Sequence, residues 1–125
     1  MGKRMIARLG STAVTVALND TETARNLAAR LPVRLRMYAS AVGCCGPLSF
    51  TLPHDPALVH RGWSNGDVNY NPAGGWLAIF VDDEENSRRY GDQLTIGRVE
   101  GTLAPLRSLA GQLDVLLALE ADSID

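Results

Sequence analysis

The chain has 125 residues, of which 46% are hydrophobic and 21% charged, a balance typical of one soluble globular domain over residues 1–125. Its formal net charge of −2 and pI near 5.6 lack the basic excess of nucleic-acid-binding proteins, so we expect no nucleic-acid partner. No apolar run approaches the roughly 20 residues of a membrane span and no signal-peptide pattern opens the chain, so we expect a cytoplasmic protein without a membrane partner.

The beginning and the end of the chain both predict strands. Met5 to Leu9 and Ala13 to Leu18 are short apolar stretches separated by Gly10-Ser11-Thr12, which is typical of a hairpin turn. Leu113 to Leu119 is another strand candidate. We expect the two ends of the chain to meet in one sheet.

The first helix is predicted over Asn19 to Leu31. Its apolar side chains recur at i, i+3, i+4 and i+7, which gives one apolar stripe. Asn19 or Asp20 can cap it, and Glu22 lies three residues after Asn19, at the spacing of a capping box. Pro32 ends the helix because proline disfavours the α conformation in the residue before it.

The middle of the chain alternates between strand and loop patterns. Val33 to Tyr38 places apolar and polar side chains on alternate faces, which predicts a strand. Ala39 to Pro47 is small and glycine-rich and predicts a loop. Leu48 to Leu52 predicts a short strand, and His54 to Asn65 predicts a long ordered loop.

A hairpin is the most strongly patterned segment. Asp67 to Asn71 alternates polar and apolar residues, Pro72 to Gly75 has turn chemistry, and Trp76 to Val81 is an unbroken apolar run. Such a run is typical of a strand buried on both faces, so we expect Phe80 in the core.

The last third predicts one more strand and a second helix. Leu94 to Val99 is a strand interrupted by Gly97. Thr102 is expected to cap a helix that ends at Gly111. The apolar stripe of that helix consists of Leu103, Leu106, Leu109 and Ala110. Eight strands with two helices favour a closed, mostly β barrel, because closure removes sheet edges.

Three further features are open to more than one interpretation. Cys44 and Cys45 are expected to be two reduced thiols in a turn, with redox chemistry as the alternative. The acidic run Asp82 to Glu85 is expected to be a solvated loop, with a divalent-cation site as the alternative. His54 and His60 have no third ligand at a suitable spacing, so we expect no metal and no cofactor.

Three stretches resemble a family of small bacterial and archaeal proteins with a cyclophilin-like fold, most of them uncharacterised. The first stretch is Leu18 to Ala24, which opens the first helix, together with Leu31-Pro32, which closes that helix. Another stretch is Ile96 to Val99, before the second helix. The central hairpin carries the most specific match, in Gly66, Asp67, Tyr70, Pro72, Gly74, Leu77 and Phe80. The resemblance implies a closed eight-stranded barrel with a helix at each open end.

Cyclophilins in the strict sense are peptidyl-prolyl isomerases, and the chain departs from their pattern. Their site uses an arginine in a Phe-His-Arg strand, a Gln-Gly-Gly-Asp turn and a Gln-Phe-Phe strand after the hairpin. Here the comparable strand has Arg34 and Arg36 without Phe-His-Arg. Leu77 lies where the glutamine is expected, and Ile79 lies where the proline-contacting phenylalanine is expected.

We therefore predict a module that binds a peptide or a small ligand in a groove beside the hairpin, without robust catalysis. The alternatives are a weak prolyl isomerase with a degenerate site and a homo-oligomeric or accessory subunit. Arginine, asparagine, aromatic and apolar side chains of this region are the residue types that line ligand pockets. The candidate residues are Arg36, Tyr38, Phe50, Tyr70, Asn71, Trp76, Leu77 and Ile79.

Overall fold

The computed structural model describes residues 3–120, which form nine strands, two α-helices and two 3-10 helices. The strands are β1 (Arg4–Leu9), β2 (Thr12–Leu18), β3 (Val33–Ser40), β4 (Gly43–Pro47), β5 (His60–Arg61), β6 (Asp67–Asn71), β7 (Trp76–Phe80), β8 (Asp92–Val99) and β9 (Gly111–Leu119). The α-helices are α1 (Glu22–Arg30) and α2 (Ala104–Arg107), and the 3-10 helices are Pro56–Leu58 and Glu84–Arg89.

Eight of the strands close into an antiparallel barrel. The strand order is β2-β1-β9-β3-β4-β7-β6-β8, and the pairing of β2 with β8 completes the ring. The short β5 lies outside the ring and pairs with the first residues of β8. The predicted closed eight-stranded barrel is therefore confirmed, and so is the pairing of the first and last strands, since β1 pairs with β9.

The barrel interior is filled by the inward residues of the alternating strands. Fully buried side chains include Met5, Leu9, Val16, Met37, Tyr70, Leu77, Ile79, Leu94, Ile96 and Leu117. Tyr70 also satisfies its polar end, because its hydroxyl accepts a hydrogen bond from the Leu52 backbone N–H at 3.0 Å. This bond ties the segment after β4 to the barrel interior. The predicted strand over Leu48 to Leu52 is wrong, since this segment is irregular.

Helix α1 covers one end of the barrel. It buries Thr23, Ala24, Leu27 and Ala28. Its N-cap is Thr21, whose hydroxyl accepts from the Ala24 N–H at 3.2 Å. The predicted cap at Asn19 or Asp20 is wrong, because the Asn19 side chain instead accepts from the Thr21 N–H and hydroxyl and donates to the Thr95 carbonyl.

Helix α2 lies at the opposite end, where β9 begins. It has only four residues, and Leu106 is its buried side chain. The longer helix predicted from Thr102 to Ala110 is wrong in extent, although the Thr102 hydroxyl does accept from the Ala104 N–H at 3.2 Å. A helix at each open end of the barrel, as the resemblance implied, is confirmed.

Strand β4 lies where the sequence predicted a loop. A Cβ added to Gly43 would collide with the Ile79 carbonyl of β7, and one added to Gly46 would collide with the Arg36 carbonyl of β3. The two glycines therefore allow β4 to approach both neighbouring strands closely, which is a packing reason for glycine rather than a turn reason. The prediction of a turn around the cysteines is wrong for the same reason.

The two thiols lie on opposite faces of β4. Cys44 is buried in the barrel and Cys45 is exposed, and both are free. Burial raises the pKa of Cys44 to about 11, with a smaller contribution from the neighbouring Cys45. Burial also raises the pKa of Cys45 above its usual value. Neither thiol is activated as a thiolate near neutral pH, which argues against the redox interpretation.

The two faces of β7 pack against different groups of residues. Leu77 and Ile79 point into the barrel, whereas Ala78 and Phe80 point outward and pack in a separate cluster with Trp63. Phe80 is 9% exposed, and its ring stacks on Trp63 with centroids 3.7 Å apart. The predicted burial of this strand on both faces is confirmed from its second residue onward, since Trp76 remains 43% exposed.

The loops before and after the hairpin are partly regular. The predicted loop over His54 to Asn65 contains the 3-10 helix at Pro56–Leu58 and strand β5. The acidic run Asp82 to Glu85 leads into the second 3-10 helix, and Asp83 has a left-handed φ of 67°.

We expect Phe80→Ala to lower the free energy of unfolding by about 3–5 kcal/mol, since it removes the ring that packs against Trp63. Urea unfolding followed by circular dichroism measures the change, and tryptophan emission should shift to the red as Trp63 becomes exposed. Tyr90→Ala is the matched control, because Tyr90 contacts the same indole at 5.2 Å but is 38% exposed. A cost below about 1 kcal/mol for Phe80→Ala, the scale of ordinary surface substitutions, would contradict a packed outer cluster.

We expect one thiol of the native protein to react with dithionitrobenzoate at pH 8, and two in urea. The reactive thiol should be Cys45, so Cys45→Ser should abolish the native reaction and Cys44→Ser should leave it intact. Its rate should continue to rise above pH 9, because burial raises its pKa. The absence of any titratable thiol in urea without reductant would indicate a disulfide between the two cysteines.

Candidate functional site

The outward faces of β3, β4 and β7 form one continuous surface, which we call the outer wall. In the strand register Tyr38 pairs with Cys45, and Cys45 pairs with Ala78, so these side chains lie in one row across three strands. Two residues further along β4, Pro47 pairs with Trp76 of β7. Small or short side chains therefore make the floor of the outer wall, and an aromatic side chain stands on each side of it.

Both flanking aromatics are open to water. Tyr38 is 57% exposed and Trp76 is 43% exposed. Neighbouring strands lie about 4.8 Å apart and residues about 3.4 Å along a strand, so two strands across and two residues along separate the Cα atoms by about 12 Å. That gap accommodates one side chain of a bound molecule between the two rings.

A third aromatic group borders the outer wall. Trp63 stacks on Phe80, and Tyr90 also packs against Trp63, with ring centroids 5.2 Å apart and tilted by 36°. The indole N–H of Trp63 donates to the Asp82 carbonyl at 2.9 Å, and its backbone N–H donates to the Ser87 hydroxyl at 2.9 Å. These bonds fix the stack, so this side of the outer wall is rigid.

The hairpin turn is held by its own side chain. The Asn71 side-chain oxygen accepts from the N–H groups of Ala73 and Gly74 at 2.9 and 3.1 Å. Asn71 therefore stabilises the turn through local hydrogen bonds of the kind that asparagine forms in loops. The ring of Trp76 lies over this turn, since a Cβ added to Gly74 would lie 2.8 Å from the indole.

Two depressions lie on either side of the hairpin turn. One of about 260 Å³ is lined by residues 48–51 and by the turn, and it includes Phe50, whose ring lies 4.4 Å from the Arg30 guanidinium. The other, of about 400 Å³, is lined by His54, Pro56, Val59 and Asp92 together with the turn. Both are shallow surface features beside the hairpin.

The largest of the cavities described lies away from the hairpin. It has a volume of about 500 Å³ and lies between α1 and the end of the barrel. Its floor is apolar, with Leu18, Ala24 and Ala28, and Lys3 and Arg25 contribute to its rim. The Arg25 guanidinium is already paired with Asp20 at 3.6 Å.

Arg36 extends away from the hairpin. Its guanidinium pairs with Asp114 on β9 at 3.3 Å, on the far side of β3 from β4 and β7. Both side chains are largely exposed, at 65% and 87%, so this ion pair contributes little to stability and a ligand can displace it. Arg36 nevertheless lies next to Tyr38 along the outward face of β3.

The Gly66-Asp67 pair has a structural role. The buried Asp67 carboxylate accepts from the Arg98 guanidinium at 2.7 Å and from the Ser64 N–H at 2.8 Å. Arg98 also donates to the Asn65 carbonyl at 3.0 Å. These bonds join β6, β8 and the loop before the hairpin, so Asp67 holds the barrel together rather than pointing at the outer wall.

The structure brings together some of the eight candidate residues and separates others. Arg36, Tyr38 and Trp76 lie on the outward faces of β3 and β7, and Phe50 lines a depression beside the hairpin turn. The remaining four are Tyr70, Leu77 and Ile79, which lie in the barrel interior, and Asn71, which holds the turn.

The sequence pattern missed three residues of this region. Cys45 lies in the floor, and Ala78 and Trp63 belong to the cluster that borders it. The two-residue period could have placed Ala78 outward opposite Leu77 and Ile79. No local pattern indicates Trp63, because its partners are about 20 residues away in the chain.

The described part of the chain has no metal cluster. Within residues 3–120, no three histidine, cysteine, aspartate or glutamate side chains are grouped so that they could hold a metal ion. Over the same residues, no helix is long and apolar enough to cross a membrane.

Comparisons with known proteins agree with the barrel. The solution structure of a hypothetical protein from Archaeoglobus fulgidus superimposes with a TM-score of 0.77 at 19% sequence identity, over 95% of each chain. At that identity the similarity establishes the fold alone. No curated protein matches the sequence. A model of the Cyclophilin-like family matches residues 7–118. The chain thus belongs to the Cyclophilin-like family.

Proposed function

We propose that the chain binds an extended peptide or a small ligand on the outer wall, without robust catalysis. The observation that carries this proposal is the pair of exposed aromatic side chains, Tyr38 and Trp76, on either side of a floor of small residues. Exposed aromatic side chains on rigid strands present a large contact area and lose little conformational entropy on binding.

The shape of the floor supports a peptide. Cys45 and Pro47 of β4 are exposed and have short side chains, so the backbone of an extended segment can approach this strand closely. The roughly 12 Å between the flanking aromatic residues accommodates one apolar side chain, with proline or an aromatic ring as the best fit. The rigid Trp63–Phe80 stack borders the outer wall near Phe80. A bound segment is thus confined by Tyr38, by Trp76 and by this stack.

The alternative is a weak prolyl isomerase with a degenerate site. Arg36 beside Tyr38 is the observation that favours it, since a guanidinium next to an apolar recess is the arrangement that the reaction needs. However, Leu77 and Ile79, which occupy the positions of the expected glutamine and phenylalanine, point into the barrel. Arg36 therefore has no second donor beside it from these positions.

We expect Trp76→Ala to weaken the binding of a fluorescein-labelled eight-residue peptide with a central Phe-Pro by about tenfold, because truncating a central aromatic contact typically costs more than 1 kcal/mol. Fluorescence anisotropy measures the affinity. Leu119→Ala is the matched control, since Leu119 is also 43% exposed but lies at the end of the barrel beside α1. A loss of binding in Leu119→Ala and not in Trp76→Ala would indicate that the peptide binds in the cavity between α1 and the end of the barrel.

We expect no more than trace acceleration of prolyl isomerisation in a protease-coupled assay on Ala-Pro and Phe-Pro peptides. The barrier is about 20 kcal/mol, and each tenfold acceleration needs about 1.4 kcal/mol of preference for the transition state. One arginine, oriented toward Asp114, gives little of the positioning that such a preference requires. Robust activity that disappears in Arg36→Ala would make the enzyme the better interpretation.

A further inference from the structure

The outward face of β3 carries an ordered line of side chains. Tyr38, Arg36 and Arg34 occupy alternate positions, and all three are exposed, whereas the residues between them point into the barrel. Alternate residues of a strand are about 7 Å apart. The line therefore begins with an aromatic ring of the outer wall and continues with two guanidinium groups at regular intervals.

The surroundings of this line are positively charged. Arg8 of β1 lies across Leu116 of β9 from Arg34, because Leu116 pairs with both. Asp114 is the single acidic residue in β1, β3 and β9. Among residues 3–120, neither Arg8 nor Arg34 is paired with a carboxylate, whereas the whole chain carries a net charge of −2.

We propose that the segment bound on the outer wall is an acidic peptide, with one apolar residue beside Tyr38 and carboxylates at the second and fourth positions after it. This inference rests on the proposed function. In an extended peptide, side chains on the same face are two residues and about 7 Å apart, which is also the spacing of the outward residues of β3. A peptide aligned with β3 thus places its two carboxylates against Arg36 and Arg34.

The chemistry of arginine fits this ligand. The guanidinium group stays charged at every physiological pH and donates in a planar fork that matches a carboxylate. Within residues 3–120 Arg34 has no carboxylate partner, so it can donate to one on the peptide, and Arg36 can exchange its exposed contact with Asp114 for the peptide carboxylate. Asp114 then acts as a competitor that weakens the binding of acidic ligands.

Two matched peptides test the proposal. Each carries a Phe-Pro step, followed in one by glutamates at the second and fourth positions after the phenylalanine and in the other by glutamines. We expect the glutamate peptide to bind the full chain more tightly, with Arg34→Ala and Arg36→Ala each weakening it by about two- to fivefold. Arg34→Lys and Arg36→Lys should each retain more of the affinity than the corresponding alanine variant. Asp114→Asn should strengthen binding by about twofold. Arg25→Ala on α1 is the control, because Arg25 is an exposed, ion-paired arginine outside the outer wall.

The outcomes separate this inference from the proposed function. Equal affinity for both peptides, with Trp76→Ala still harmful and the arginine variants unaffected, would overturn the acidic ligand class and leave the binding function intact. No binding of either peptide would overturn both. The preference for glutamate should decrease as salt is raised from 50 to 500 mM, in the manner of exposed charges. Tighter binding of a single-stranded oligonucleotide through Arg34 would overturn the peptide and assign the surface to phosphate.

Discussion

The pairing of β2 with β8 is the contact on which the rest of the structure depends, because it closes the barrel. At this seam Gly97 lies so close to β2 that a Cβ there would be 2.6 Å from the Ala17 carbonyl oxygen. The same strand carries a bulge opposite Val68 and Asn69, and a bulge of this kind bends its strand. Beside it, the ion pair of Asp67 with Arg98 joins β6 and β8. Two of the three stretches that carry the family resemblance therefore include residues of the seam.

Closure determines which surface of the barrel remains exposed. The interior is filled by side chains, and the two ends are covered by α1 and α2. The outward side of the hairpin near Phe80 is covered by Trp63 and the 3-10 helix that follows β7. The outward faces of β3 and β4 and the start of β7 are left uncovered by any of these elements. Exposed residues of the outer wall, such as Tyr38 and Cys45, can therefore change without disturbing the core.

The strands whose sequence pattern reflects burial directly could be predicted from the sequence. Val33 to Tyr38 alternates because one face is buried, and Trp76 to Val81 is an unbroken apolar run because both faces are buried from Leu77 onward. Strand β4 could not be predicted, since its glycines respond to backbone atoms of β3 and β7 that are distant in sequence. The cap of α1 was misplaced for a related reason: Asn19 bonds to Thr95 of β8, so a tertiary contact replaced the local one.

The candidate site was predictable only in part, because it too depends on contacts between residues that are distant in sequence. Tyr38 and Trp76 could be identified as outward aromatics from their own strands, but their position on one surface depends on β4, which brings β3 and β7 within two strand spacings. Phe50 and Tyr70 were predicted to lie with them because aromatic residues are among the residue types that line ligand pockets. The structure separates them because Tyr70 bonds inward to Leu52, and Phe50 lies under Arg30.

Two different constraints meet on the outer wall. The close approach of β4 to both neighbours requires glycine at two positions of that strand, so the shallow floor follows from the barrel itself. The flanking aromatics are partly open instead: Tyr38 is 57% and Trp76 is 43% exposed, and the ring of Trp76 also packs over the hairpin turn at Gly74. Arg34 is exposed and lies outside the core. The floor thus follows from the folding of the barrel, and the exposed parts of the aromatic and basic side chains around it are the surface on which the proposed binding rests.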